Sequence, residues 1–132
     1  MIYHIVQESD FLPLLTEHGY YPANFQESGF VHCALEASVI SVANDYYSDV
    51  DDRLLLLKID PLKLSSQTRF EPPEPVKGIS ESHMTTSSVF PHVYGPIEEC
   101  AVEGVGLLEK GKNGYAWPQE FVSLSQYINR NI

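Results

Sequence analysis

The longest unbroken apolar run in the chain is Leu54–Leu57, only four residues. A bilayer-crossing helix needs roughly 20, so this run predicts a buried strand over residues 53–59, closed by Asp60-Pro61, because the residue before a proline is pushed out of helical geometry. The other apolar-rich pieces are also short, and polar residues or glycines interrupt them: Ile2–Val6, residues 29–35 and residues 100–109. A chain that distributes its apolar residues this way must build its core from several short strands. Its length of 132 residues suits one domain spanning 1–132. With 43% hydrophobic and 20% charged residues it has ordinary globular composition, not that of a disordered chain.

Two helices are expected between the strands. Ser9-Asp10 can cap a first helix with an apolar stripe of Phe11, Leu14 and Leu15, tolerating Pro13 in its first turn and stopping at Gly19. Val39, Val42, Ala43 and Tyr46 recur at helical spacing and predict a second helix over residues 37–47. Between them, residues 20–25 read as an aromatic loop. From Leu62 to Phe90 the composition shifts to Ser, Thr, Pro and Glu, including Pro72-Pro73-Glu74-Pro75, which predicts a long loop over 62–90. Residues 111–114 make a turn into Tyr115-Ala116-Trp117-Pro118. This order gives an α+β domain, two helices on a mixed sheet.

Eight Lys and Arg against 18 Asp and Glu leave a formal charge of −10, a potential that repels phosphate backbones and anionic lipid. DNA binding and membrane association are not expected, and Arg53, Arg69 and Arg130 lie too far apart to form a basic block. The two cysteines, Cys33 and Cys100, are too few for a disulfide scaffold and read as reduced thiols. Residues 1–7 contain no basic n-region or apolar h-region, so no secretory signal and a cytoplasmic location are expected.

Three histidines fall in strand-like segments: His4, His32 and His92. Strand alternation puts His4 on a face with Ile2 and Val6, and His32 with Phe30 and Ala34. An imidazole among apolar neighbours needs hydrogen-bond partners, and three such rings on adjacent strands would converge on one site beside the phenol of Tyr94. No metal is expected there, since no His-x-x-x-His or Cys-x-x-Cys spacing occurs. Cys33 should turn away from His32, being its immediate neighbour on a strand. Gly-x-Ser-x-Gly, phosphate-loop and Gly-x-Gly-x-x-Gly patterns are absent. Tyr20 and Tyr21, just after Gly19, could stack a flat ring, whereas Tyr46 and Tyr47 read as core filling. Most of the glutamates Glu71, Glu74, Glu98, Glu99 and Glu103 read as solvated surface.

The segments Ile2-Tyr3-His4-Ile5, Gly19-x-Tyr21, Gly29-Phe30-Val31-His32-Cys33, residues 55–60 (Leu-Leu-Leu-Lys-Ile-Asp) and Phe90-Pro91-His92-Val93-Tyr94-Gly95-Pro96 resemble the domain-of-unknown-function family 952. The resemblance runs from Met1 to about Pro118. It implies a fold similar to the ADP-ribosyltransferases, a split mixed sheet with NAD in a central cleft. By that resemblance His4 matches the first-strand residue that binds the NAD ribose, and His32 stands where a tyrosine or serine is usual. No Gln-x-Glu or Glu-x-Glu pattern marks a catalytic glutamate. The expectation is a nucleotide-handling domain, with NAD as a substrate rather than a resident cofactor. The ring would stack on Tyr20 or Tyr21 beside Tyr94, with His32 or His92 as general acid or base. The rival expectations are a ligand-binding module without turnover and a His-ligated metal hydrolase.

Overall fold

The computed structural model describes residues 1–72 and 89–131. Strand β1 (Ile2–Gln7) pairs with β5 (Leu54–Ile59), β5 with β8 (Val102–Gly111), and β8 with both β10 (Phe121–Val122) and β9 (Gly114–Ala116). Both faces of this five-stranded sheet are covered. Ile2, Val6, Leu55, Leu57 and Ile59 pack on one side with Phe11, Tyr20 and Ile97. Tyr3, Ile5, Leu54 and Leu56 pack on the other against Val39 and Ala43. That double burial explains why residues 54–57 are apolar without alternation. Val39 and Ala43 come from helix α3 (Glu36–Tyr47), which matches the predicted second helix.

A second sheet has the order β4-β7-β6, from β4 (Val31–His32), β7 (Phe90–Val93) and β6 (Thr68–Glu71), and a small hairpin joins β2 (Leu15–Thr16) to β3 (Gly19–Tyr20). The α+β class is as expected, but the pairing is not mixed. Every ladder among the described residues is antiparallel. The described residues also form four α-helices rather than two. The predicted first helix shrinks to α1 (Glu8–Phe11), because Leu14 and Leu15 turn into the hairpin. A single turn, α2 (Phe25–Ser28), ends at Gly29 in the aromatic segment. At the far end α4 (Leu124–Arg130) begins with a capping box in which Ser123 and Gln126 bond reciprocally. The expected loop over 62–90 is interrupted by a 3-10 turn at Pro61–Lys63 and by β6. Its Pro73–Ser88 portion lies outside the described residues. None of the described helices is long and apolar enough to cross a membrane.

Pro91 decides how the two sheets meet. The Cys33 N–H donates to the Pro91 carbonyl at 3.0 Å, but proline has no N–H to return to Cys33, so the β4–β7 ladder ends there. The chain is released toward β1, where Ala34 and Tyr3 exchange backbone hydrogen bonds of 2.8 and 2.9 Å. This bridge joins the small sheet to the edge of the large one.

Gly19 holds the hairpin against Ile97. Its φ of +120° is disfavoured for a side chain, and a Cβ there would lie 2.6 Å from the Ile97 carbonyl oxygen. Gly19→Ala is expected to cost more than about 2 kcal/mol, read as a lowered denaturation midpoint. It should also displace Tyr20.

Candidate functional site

A cavity of about 260 Å³ opens along β1 just past the Tyr3–Ala34 bridge. His4, His32, His92 and Tyr20 all line it, together with Asp10, Cys33, Tyr46, Tyr47 and Phe90. The three histidines singled out in the sequence therefore share one concave surface. Tyr21 and Tyr94 are not in the wall. The Tyr21 ring packs edge-on against Phe25 at 5.1 Å, and the Tyr94 ring lies 5.4 Å from Phe30. Tyr46 and Tyr47, expected as core filling, do line the cavity.

Strand register explains the placement. His32 faces His92 across β4 and β7 in a pair without backbone hydrogen bonds, the type that brings side chains closest. Their ring centroids are 5.6 Å apart. The same register turns the His32 carbonyl away from β7, toward β1. There it accepts a 2.6 Å hydrogen bond from His4 Nδ1. A carbonyl cannot donate, so Nδ1 carries the hydrogen and Nε2 is the acceptor facing the Tyr20 hydroxyl at 3.4 Å. His4 is 6% exposed, and burial holds its pKa down at about 4 against the His32 carbonyl bond. His4 is thus a neutral, fully partnered group.

His32 differs. Burial first, then the neighbouring His92 and His4, lower its pKa to about 4, so it too is neutral near pH 7. Its ring packs on Phe30 at 4.5 Å, yet neither ring nitrogen has a hydrogen-bond partner among the described residues. It borders the cavity with one donor and one acceptor to offer.

His92 is held by Glu71, one of five glutamates expected to lie mostly on the solvated surface. Glu71 Oε1 accepts from His92 Nδ1 at 2.9 Å and from the Tyr94 hydroxyl. These two bonds, the phenol's first, hold the Glu71 carboxyl below its usual range. The Arg69 guanidinium lies 4.8 Å over the Tyr94 ring. Phe30 stacks on His92 at 4.1 Å, with an interplanar angle of 23°. Glu71 sits diagonally from His92, since Arg69 is directly opposite it and Glu71 opposes Phe90. The alternation of residues 68–71, Thr-Arg-Phe-Glu, was the available signal.

Cys33 is buried, and burial pushes its thiol pKa up, which disfavours the nucleophilic thiolate. Among the described residues no three His, Cys, Asp or Glu side chains are grouped to hold a metal ion.

The model of the protein family of unknown function DUF952 matches residues 5–105. The chain belongs to the DUF952 family. Two crystal structures of protein CC0527 from Caulobacter crescentus share the fold of this DUF952 chain. One is CC0527 itself, at TM-score 0.65 and 20% identity, and the other is a double mutant of it, at 0.64 and 19%. In both comparisons 97% of each chain is covered. No curated protein is similar enough to match.

His4 makes the stability of this DUF952 fold depend on pH. The unfolded chain takes up a proton at His4 near pH 6.5, the folded one only near pH 4, so the unfolded state holds more protons in between. Stability is fully present above pH 6.5 and is lost as the pH falls to about 4, a loss from His4 on the order of 3 kcal/mol. His32 adds to the loss in the same direction. Denaturation midpoints measured across this window should fall steadily in the wild type and fall less in His4→Gln, which keeps a donor for the His32 carbonyl.

Proposed function

We propose that this domain takes the ring and ribose end of NAD, or of a related N-ribosyl nucleotide, into the cavity and opens the bond between ring and ribose. The observation that carries this reading is a strand edge and an imidazole, side by side, that have no hydrogen-bond partners among the described residues. Tyr3 spends its backbone N–H and carbonyl on Ala34. By strand alternation the same groups of Ile5, the next residue of that parity, point away from β5 into the cavity that Ile5 lines. A backbone donor and acceptor in one edge suit a carboxamide or a heterocycle edge, and His32 supplies another donor and acceptor.

The walls fit such a ring. Tyr20, Tyr46, Tyr47 and Phe90 provide aromatic surface. Among the described residues no Lys or Arg lines the cavity, whereas Asp10 does, which favours a neutral or cationic ring and disfavours phosphate. The volume of about 260 Å³ lies just below the range of about 300–1,000 Å³ usual for whole small-molecule ligands. One end of a dinucleotide enters, and its phosphates stay outside. The pyridinium ring of NAD meets these conditions. The likeness to ADP-ribosyltransferases, drawn from sequence motifs, is part of this same reading.

Titration of isotope-labelled protein with NAD, nicotinamide and ADP-ribose tests it. NAD and nicotinamide should shift the Ile5 amide and the His32 ring signals, ADP-ribose should shift them less, and incubation with NAD should release nicotinamide. Binding without release would make the domain a ligand-binding module. The absence of any shift with NAD refutes the reading.

A further inference from the structure

We propose that His92 Nε2 is the proton acceptor of this cavity and that Glu71 is its positioning residue. Resting on the ring-to-ribose cleavage reading above, this chooses His92 over His32 as the base and adds Glu71, a residue that the sequence did not single out. Glu71 Oε1 is a pure acceptor when ionised, so the 2.9 Å contact fixes the hydrogen of His92 on Nδ1. The remaining nitrogen, Nε2, then carries the lone pair. It has no hydrogen-bond partner among the described residues, and His92 borders the cavity.

Three further contacts hold the pair. The Tyr94 hydroxyl donates to the same Glu71 oxygen. Arg69, over the Tyr94 ring, adds a cation that favours the ionised carboxyl. Phe30, stacked on the imidazole, fixes the plane of the His92 ring. A histidine whose orientation is set by a carboxylate through its far nitrogen is arranged for proton transfer through the near one. Packing alone would not require the carboxylate, since Phe30 already covers the ring.

The step balances without any oxidant or further reactant. Water attacks the anomeric carbon of the ribose, forming a C–O bond as the C–N bond to the ring breaks. The bonding pair leaves on the ring nitrogen and neutralises the pyridinium. The proton of the water passes to His92 Nε2 and from there to solvent. Positive charge grows on the ribose in such a transition state, and among the described residues the cavity wall holds Asp10 and no Lys or Arg side chain.

Nicotinamide release from NAD, measured on the wild type, Glu71→Gln and Glu71→Asp, tests the assignment, alongside nitrogen NMR of the His92 ring. Glu71→Gln should lower kcat about 10–100-fold with KM nearly unchanged, and should abolish the single Nδ1–H tautomer of His92. Glu71→Asp should recover part of both. Because a structural defect could also slow turnover, the melting temperature and the tautomer are read on the same samples. If the wild type turns over and Glu71→Gln keeps its kcat, the proposal is overturned while the cleavage reading stands. A wild-type His92 protonated on Nε2 instead of Nδ1 also overturns it. No turnover by a wild type that binds NAD overturns the cleavage reading, and with it the role of His92 as proton acceptor.

Discussion

The 2.6 Å hydrogen bond from His4 to the His32 carbonyl is the interaction on which the rest of the site depends. It lies where the small sheet reaches the open edge of the large one, next to the Tyr3–Ala34 bridge. Because it consumes the proton of His4 Nδ1, it fixes the tautomer, and Nε2 is left to face Tyr20. That contact ties the β2–β3 hairpin to the same seam. One buried ring therefore holds β1, β4 and β3 in register with one another. A protonated His4 could keep its donation to His32 but could no longer accept from Tyr20, so the seam is built for a neutral imidazole.

The seam also leaves a gap. The small sheet touches β1 at Tyr3 and departs, because Pro91 ends the β4–β7 ladder at Cys33. Beyond that point β1 has β5 on one side and the cavity on the other. Proline is normally excluded from central strands because it removes a ladder bond. Here that loss leaves the outer edge of β1 at Ile5 without a strand partner among the described residues, so a local break in the sheet becomes a feature of the cavity wall.

The sequence was most legible where burial is two-sided or strictly periodic. Residues 54–57 could only be a covered strand, and the spacing of Val39, Val42, Ala43 and Tyr46 defined α3 nearly to the residue. Convergence of the three histidines followed from alternation on the condition that their strands are neighbours, which the β4–β7 ladder and the Tyr3–Ala34 bridge supply. Tyr94 and Tyr21 lie outside the cavity lining for different reasons. Tyr94 has the alternation of His92, but its phenol is directed to Glu71, while Tyr21 turns to Phe25. Glu71 was obscured because β6 is a four-residue edge strand within a Ser, Thr and Pro-rich region, and its partner His92 is 21 residues away. Helix α4 carried a readable Ser123–Gln126 capping box, but its apolar stripe is short. Parallel or antiparallel pairing was not encoded in periodicity at all, since both need the same alternation.

His32 is the histidine of the three whose side chain packing explains least. His4 bonds the His32 carbonyl and faces Tyr20, and His92 bonds Glu71 through Nδ1, so each of these two rings has a hydrogen-bond partner in the protein. The ring of His32 has contacts with Phe30 and His92 but no hydrogen bond among the described residues. Its backbone carbonyl, which any residue would supply, already performs the structural task of binding His4. A β-branched apolar side chain would serve that strand position better, gaining strand propensity and avoiding the desolvation of a polar ring. The imidazole at this position is thus a cost to the free protein that packing does not return. A ligand able to bond both ring nitrogens would offset that cost, and the proposed ring-binding role gives the His32 side chain such a partner, with His4 beneath it bonded to its carbonyl.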